Sequence, residues 1–430
     1  MKTWFGSSTT AGRFSRMRFR IHRGADEIGG NCVEIEAQGK TILVDLGLPL
    51  TATAPSSDLL PPVRDLSTGG SAAPLGIVIS HSHGDHVGLL SHAHRSIPVH
   101  MGHYTANLLR AAAPFVRGTP IPHMIRTYSH RSTFTIEPFG ITPFLIDHSG
   151  FDAYALLIEA EGRRLLYSGD FRAHGRKAKL TEQLIRHPPC PVHTLLLEGT
   201  TLNRGHNGIP PVTESDLEDQ IVNDLKQAPG LVLACFSPQN IDRFVTFYRA
   251  TRRAGRRFIG DAYLANILSS LGIKSLPVPS QQDFRVFLGR RQRQRIVNDG
   301  LFDILEPLRP ARIFAAEICR APAKWVMLFR KSLARDVDDF GVTGPVNLIY
   351  ALWPGYLDRS DSGLAAWCCD RGVTLIQRHT SGHADAELLQ RFAAAMQPDT
   401  VVPIHTEVPG AYASHFSNVK LCANGEWFAV

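Results

Sequence analysis

The run His81-Ser82-His83-Gly84-Asp85-His86 constrains this chain more than any other feature. It directly follows Gly76–Ser80, a nearly unbroken apolar stretch of the kind that makes a strand buried on both faces. Three imidazoles and a carboxylate at the end of such a strand are a dense set of donors for a divalent metal. In extended backbone, side chains two apart face the same way, so His81 and His83 can hold one ion together. Gly84 lets the chain bend into a helix, which turns Asp85 and His86 toward a second ion. A histidine-rich surface loop is the competing reading, and the density of donors argues against it.

Further donors end other apolar runs. His148 follows Ile141–Asp147, Asp170 follows Leu165–Gly169, and His405 follows Thr400–Ile404. Each alone reads as a cap or turn residue; together they supply what two ions still lack. A carboxylate such as Asp170 can bridge both ions, while His148 and His405 each complete one. Asp45, at the end of Ile42–Val44, is placed to orient ligands rather than to bind. Zinc is the expected metal, and manganese suits the same donors.

The chain has room for more than one domain. Short β-type runs dominate residues 17–204 and suggest two sheets packed face to face under helices. From Thr213, a helix N-cap with Asp216 three residues on, strands and helices alternate, as in a doubly wound parallel sheet. Arg312–Ala316 is expected as a strand leading to a helix near Lys324–Ser332. Residues 205–365 form this second unit, and residues 366–430 return to the first. The last runs, Val419–Cys422 and Trp427–Val430 around Asn424-Gly425, are expected to pair as a hairpin completing a sheet begun near the N-terminus.

Forty-six lysines and arginines against 39 acids leave a net charge of +7, compatible with a polyanionic partner. Arg249, Arg252, Arg253, Arg256 and Arg257 form one basic cluster, and Arg285, Arg290, Arg291, Arg293 and Arg295 another. They read equally as solvated faces or as a path for a nucleic-acid strand. Trp353-Pro354-Gly355-Tyr356 reads first as a strand-end aromatic cluster, with base stacking as the alternative. Seven cysteines without a CxxC pair argue against a disulfide framework. Residues 1–16 lack the apolar core of a secretory signal and read as a disordered leader. The chain reads as soluble and cytoplasmic.

With these residues in hand, a resemblance can be stated. Asp45, His81–His86, His148, Asp170 and His405 resemble the ordered motifs of the metallo-β-lactamase fold. Ile21–Leu48, Tyr167–Arg172 (YSGDFR), Leu231–Arg243 (LVLACFSPQNIDR) and Thr380–Ala384 (TSGHA) resemble the β-CASP nuclease branch, nearest to the ribonuclease J family. The resemblance implies an α/β fold, a metallo-β-lactamase αββα sandwich with an inserted β-CASP α/β domain. It assigns one zinc to His81, His83 and His148, the other to Asp85, His86 and His405, and the bridge to Asp170. Glu198 would support the metal-site histidines, and His383 would donate a proton to the leaving oxygen. A histidine at His405 points to RNA rather than DNA. Ser237, Asn240, Arg243, Thr380, Ser381 and Gly382 would contact phosphates of the strand.

The implied activity is a two-metal ribonuclease, working 5′ to 3′ on single-stranded RNA with a 5′-monophosphate. An end-independent endoribonuclease, a single-stranded DNA nuclease and, more remotely, a small-molecule metallo-hydrolase are the alternatives. Pro238-Gln239 departs from the small residue usual before Asn240. The chain also ends 25 residues after His405, before the family's C-terminal domain, so its assembly is open, with a homodimer as one form.

Overall fold

The computed structural model describes residues 17–116, 121–203, 210–357 and 363–430. The leader 1–16 and the first domain boundary near 205 lie outside them. Two sheets share one core. The first contains β1 (Arg18–Arg23), β2 (Cys32–Ala37), β3 (Lys40–Val44), β4 (Ile77–Val78), β5 (Val99–Gly102) and β6 (Ile125–Tyr128), with β19 (Trp427–Ala429) on the edge beside β1. The second runs β18 (Thr400–Ile404), β11 (Thr194–Glu198), β10 (Arg163–Tyr167), β9 (Ala153–Ala160), β8 (Phe139–Ile146) and β7 (Phe134–Ile136). Alternation sends Phe19, Ile35 and Val44 of the first sheet against Ile141, Leu156 and Leu196 of the second. On the outer faces, helix His103–Ala112 packs through Ala106 on the first sheet. Helices Ala178–Arg186 and Ala386–Met396 pack through Leu184, Leu389 and Phe392 on the second. The αββα sandwich is as expected from the sequence.

A third, wholly parallel sheet forms the inserted unit. Its order is β14 (Phe284–Phe287), β13 (Arg257–Asp261), β15 (Trp325–Leu328), β12 (Leu231–Cys235), β16 (Val346–Tyr350) and β17 (Thr374–Gln377). Helices Glu214–Gln227, Ile241–Arg253 and Ala262–Leu271 cover one face, and Ala334–Phe340 and Leu364–Asp370 the other. The first of these helices starts at Thr213, whose hydroxyl and Asp216 form the reciprocal cap the sequence suggests.

Three expectations need correction. The inserted sheet does not end near residue 365: helix Leu364–Asp370 buries Trp367 and Cys368 on it, and β17 pairs with β16 as far as Gln377. The C-terminal hairpin does not form. Val419 bridges Val401 at the edge of the second sheet, whereas β19 pairs with β1 at the edge of the first. Each run thus satisfies an otherwise open sheet edge, which a free two-stranded hairpin could not do for both. Finally, Trp325–Leu328 is the strand between β13 and β12 rather than part of a helix. Arg312 makes only a bridge to Val286 before a helix begins at Ala315. A four-residue apolar run carries no periodicity that separates strand from buried helix.

Candidate metal centre

The strand ends of the sandwich converge on one rim. His81 and His83 lie beyond β4, and Asp85 and His86 open the short helix Gly84–Val87. His148 lies beyond β8, Asp170 beyond β10, Glu198 ends β11 and His405 follows β18. Donor atoms of His81, His83 and His148 lie within 4.8 Å of one another, and so do those of Asp85, His86 and His405. Asp170 joins the two sets: its Oδ2 is 3.2 Å from His86 Nε2 and 3.9 Å from His81 Nε2, and its Oδ1 is 3.6 Å from His405 Nδ1. The structure brings all seven sequence-derived donors together.

Hydrogen bonds decide which ring nitrogen faces inward. Ser80 Oγ donates to Asp45 (2.8 Å) and so accepts from His81 Nδ1 (3.0 Å). His86 Nδ1 donates to Asp45 Oδ2 (2.7 Å), and His148 Nδ1 to the Gly382 carbonyl (2.6 Å). Thr200 Oγ1 donates to Glu198 (2.9 Å) and accepts from His405 Nδ1 (2.8 Å). Four rings are therefore anchored through Nδ1, and their Nε2 lone pairs turn toward the centre. His81 Nε2 and Asp170 Oδ1 are buried without a hydrogen-bond partner, as atoms reserved for a cation would be. The donor set fits divalent metal ions.

Electrostatics agree. Burial, reinforced by neighbouring histidines, holds His81 and His148 well below the usual imidazole pKa, so both rings are neutral. Burial works the same way on His86, but the Asp170 and Asp45 carboxylates outweigh it and lift its pKa well above that value. Burial would raise Asp170; His405 and His86 instead hold it well below the usual carboxylate range. The centre is thus built to attract positive charge. Asp45 and His405 both sit at positive φ, 60° and 53°, backbone that non-glycine residues adopt only when their surroundings impose it.

Asp45 bonds His86 and Ser80, and sequence reasoning missed three residues around the donors. Ser80 and Thr200 fix ring tautomers, and the Tyr167 hydroxyl donates to Asp45 Oδ2 at 2.9 Å. Tyr167 stands in a motif the sequence singles out; a lone Ser or Thr beside a ligand gives no signal.

A cavity of about 790 Å³ opens beside the centre, between the sandwich and the inserted unit. His83, Asp85 and His405 line it together with Ser237, Asn240, Arg243, Thr380, Ser381, Gly382 and His383. Arg243 does not offer its charge there. It is 1% exposed, paired with Glu214 at 3.1 Å and bonded to the carbonyls of Ala351 and Thr380 (3.3 Å for the latter). Asn240 caps helix Ile241–Arg253 through its amide oxygen. The arginine clusters are also engaged elsewhere: Arg249 and Arg253 with Glu218, Arg252 with Asp283, Arg285 with Glu317, Arg290 with Asp336 and Asp339, Arg295 with Asp299. Arg256 is spent on the carbonyls of Ala228 and Gly230, and none of these clusters lines the cavity.

Comparison with known proteins follows the same division. Residues 40–208 match the beta-lactamase superfamily domain, and residues 375–418 match the Zn-dependent metallo-hydrolase RNA specificity domain. Ribonuclease J of Mycoplasma genitalium is 22% identical over 403 residues, covering 89% of this chain and 67% of its own length. The chain is thus similar to ribonuclease J proteins over most of its length and carries a beta-lactamase superfamily domain match over residues 40–208. Ribonuclease J of Helicobacter pylori is 26% identical over 240 residues, covering 51% of this chain and 32% of its own. The chain spans about two thirds of the Mycoplasma relative's length. A crystal structure of a protein of unknown function from Enterococcus faecalis superposes over 97% of this chain and 100% of its own, with a TM-score of 0.77 at 19% identity. That likeness shows a shared fold that includes the inserted unit. No helix among the described residues is long and apolar enough to cross a membrane.

Proposed function

We propose that this β-CASP protein is a two-metal ribonuclease that degrades single-stranded RNA from a 5′-monophosphate end, 5′ to 3′. The observation that carries the reading is that Ser237, Ser381, Gly382 and His383 line the same cavity as His83, Asp85 and His405. Groups suited to a phosphodiester thus stand beside groups suited to metals. His81, His83 and His148 would hold one ion and Asp85, His86 and His405 the other, with Asp170 serving both; zinc is the proposed metal. Two such ions, when bound, activate a water at neutral pH and stabilise both oxygens exchanged in an in-line displacement.

The chain's own residues do the rest. His383 Nδ1 donates to Glu198, 3.1 Å away. Burial disfavours a charged ring at His383, but the Glu198 carboxylate, with Asp170 and Asp85, outweighs it and raises the pKa. The ring can therefore carry a proton to the departing oxygen at neutral pH. Hydroxyls of Ser237 and Ser381 and the bare backbone at Gly382 offer donors to a terminal phosphate. The test compares one labelled RNA bearing a 5′-monophosphate, 5′-triphosphate or 5′-hydroxyl, with single-stranded DNA and a generic lactam alongside. Mononucleotides released fastest from the monophosphorylated RNA are expected. Equal rates with internal cuts would replace this reading by an endonuclease, and turnover of the lactam alone by a small-molecule hydrolase.

A further inference from the structure

Four of the segments around the cavity meet at one buried guanidinium, that of Arg172. Its side chain is fully enclosed. Nη2 is 2.9 Å from Asp242 and Nη1 is 3.5 Å from Glu214, both on helices of the inserted unit. Nε is 3.6 Å from Asp147, the residue before His148. Nη1 also donates to the carbonyl of Ser381 at 2.9 Å. The sandwich, the inserted unit and the returning loop are therefore held in one register by a single side chain.

That loop is caught by its carbonyls. Thr380 O accepts from Arg243 (3.3 Å), Ser381 O from Arg172 and from His174 Nε2 (both 2.9 Å), and Gly382 O from His148 (2.6 Å). Three consecutive carbonyls are bound on the protein side of the loop, and the next residue is His383. The room is tight. A Cβ on Gly175 would lie 2.5 Å from the Arg172 guanidinium and 2.4 Å from Asp147.

We infer that Arg172 is a positioning residue: acting through the Ser381 carbonyl, with His174 as second donor, it sets the loop that presents His383 and the phosphate donors to the metal centre. The inference rests on the ribonuclease reading above. It predicts that loosening the clamp lowers turnover and blurs 5′-end discrimination without releasing metal, because Arg172 bonds none of the seven ligands directly and only His148 meets the loop, through the Gly382 carbonyl.

Arg172→Met and Arg172→Lys are compared with wild type for bound metal, thermal midpoint, kcat and KM on RNA with the three 5′ ends, and hydrolysis of bis(p-nitrophenyl) phosphate. The expected result for Arg172→Met is full metal content, at least a tenfold fall in kcat on monophosphorylated RNA, and loss of preference for that end. Millimolar guanidinium, but not equal sodium chloride, should restore part of the rate. Full metal with unchanged kcat and preference overturns the inference. Removing the guanidinium takes a counter-charge from three buried acids and leaves Asp147 without its ion pair, although Glu214 keeps Arg243 and Asp242 keeps Lys177, so Arg172→Met can fail to fold. His174→Phe then decides, since it deletes the second donor and strands no acid. A fall in kcat and end preference with metal retained supports the clamp; a change in thermal midpoint alone overturns it. If wild type cuts bis(p-nitrophenyl) phosphate but no RNA, the ribonuclease reading fails, and the clamp is then judged by the effect of His174→Phe on that substrate's kcat.

Discussion

His383 Nδ1 lies 3.1 Å from Oε2 of Glu198, a carboxylate that is itself pinned by the Phe171 N–H at 2.9 Å and the Thr200 hydroxyl at 2.9 Å. An acid held by two other donors cannot follow the histidine, so the histidine is held to it. The ring is the more exposed partner, with 21% of its side chain accessible against 1% for Glu198.

His383→Ala should lower kcat by ~10²–10⁴-fold, the range for losing a general acid, with metal and RNA binding kept. Glu198→Gln should act in the same direction by leaving the ring less oriented and less readily charged. Loss of metal from His383→Ala would instead make His383 a ligand, since its ring lies within ligand distance of Asp170, Glu198 and His405.

Asp85→Ala should abolish cleavage with the fold intact, because Asp85 serves the rim and no core. Asp45→Asn should weaken metal binding by ~10–100-fold, as expected when the partner that orients a ligand histidine is altered. Titration of apoprotein with zinc checks both, and an unchanged affinity in Asp45→Asn would remove Asp45 from the site.

At Gly382 an added Cβ would come within 2.5 Å of Ser149 Oγ and 3.2 Å of the His148 ring. Gly382→Val should therefore displace the loop and slow exonucleolysis more than internal cutting. Adding Ser149→Gly should recover part of the loss in Gly382→Ala, because it removes the clashing side chain. No recovery would mean the glycine is needed for phosphate approach rather than for packing.

Acid should destabilise the protein through its buried neutral histidines. Burial first, and nearby arginines second, push His100, His174 and His379 down to about 4. An unfolded histidine takes its proton near pH ~6.5. The stabilisation is complete above that value and is lost as pH falls from there through 4, because only the unfolded state binds protons across the window. His100 stacks on Phe134 away from the donors, so His100→Gln should flatten the fall of thermal midpoint between pH 6.5 and 4.5. An identical slope would show that His100 does not contribute.

RNA affinity should fall with salt by about 0.7 log units per log unit for each phosphate contacted on a single strand. Arg290→Glu and Arg291→Glu should leave that slope unchanged, since Arg290 is committed to Asp336 and Asp339 and neither arginine lines the cavity. A flatter slope would restore this helix to the strand's path.

By itself the sequence determined the candidate donors and the layered plan. Each donor ends a short apolar run, and a strand end is a local fact: chain direction and burial place it at the rim of the sheet without reference to distant residues. The change from strand-rich to alternating pattern likewise announced the inserted unit. Tertiary structure decided which polar side chains are spent on one another. Arg243 looked available for phosphate and is consumed by Glu214; Arg172 stood in a quoted motif with no visible partner, because Asp147, Glu214, Asp242 and Ser381 reach it only after folding. Thr200 became a tautomer-setting residue only because β11 and β18 lie side by side and bring it to His405. Edges behaved the same way: the last two runs were drawn to different sheets by open backbone groups that no local pattern reveals. Donor type and strand-end position are written along the chain, whereas the partner of a buried charge is a property of the packed molecule.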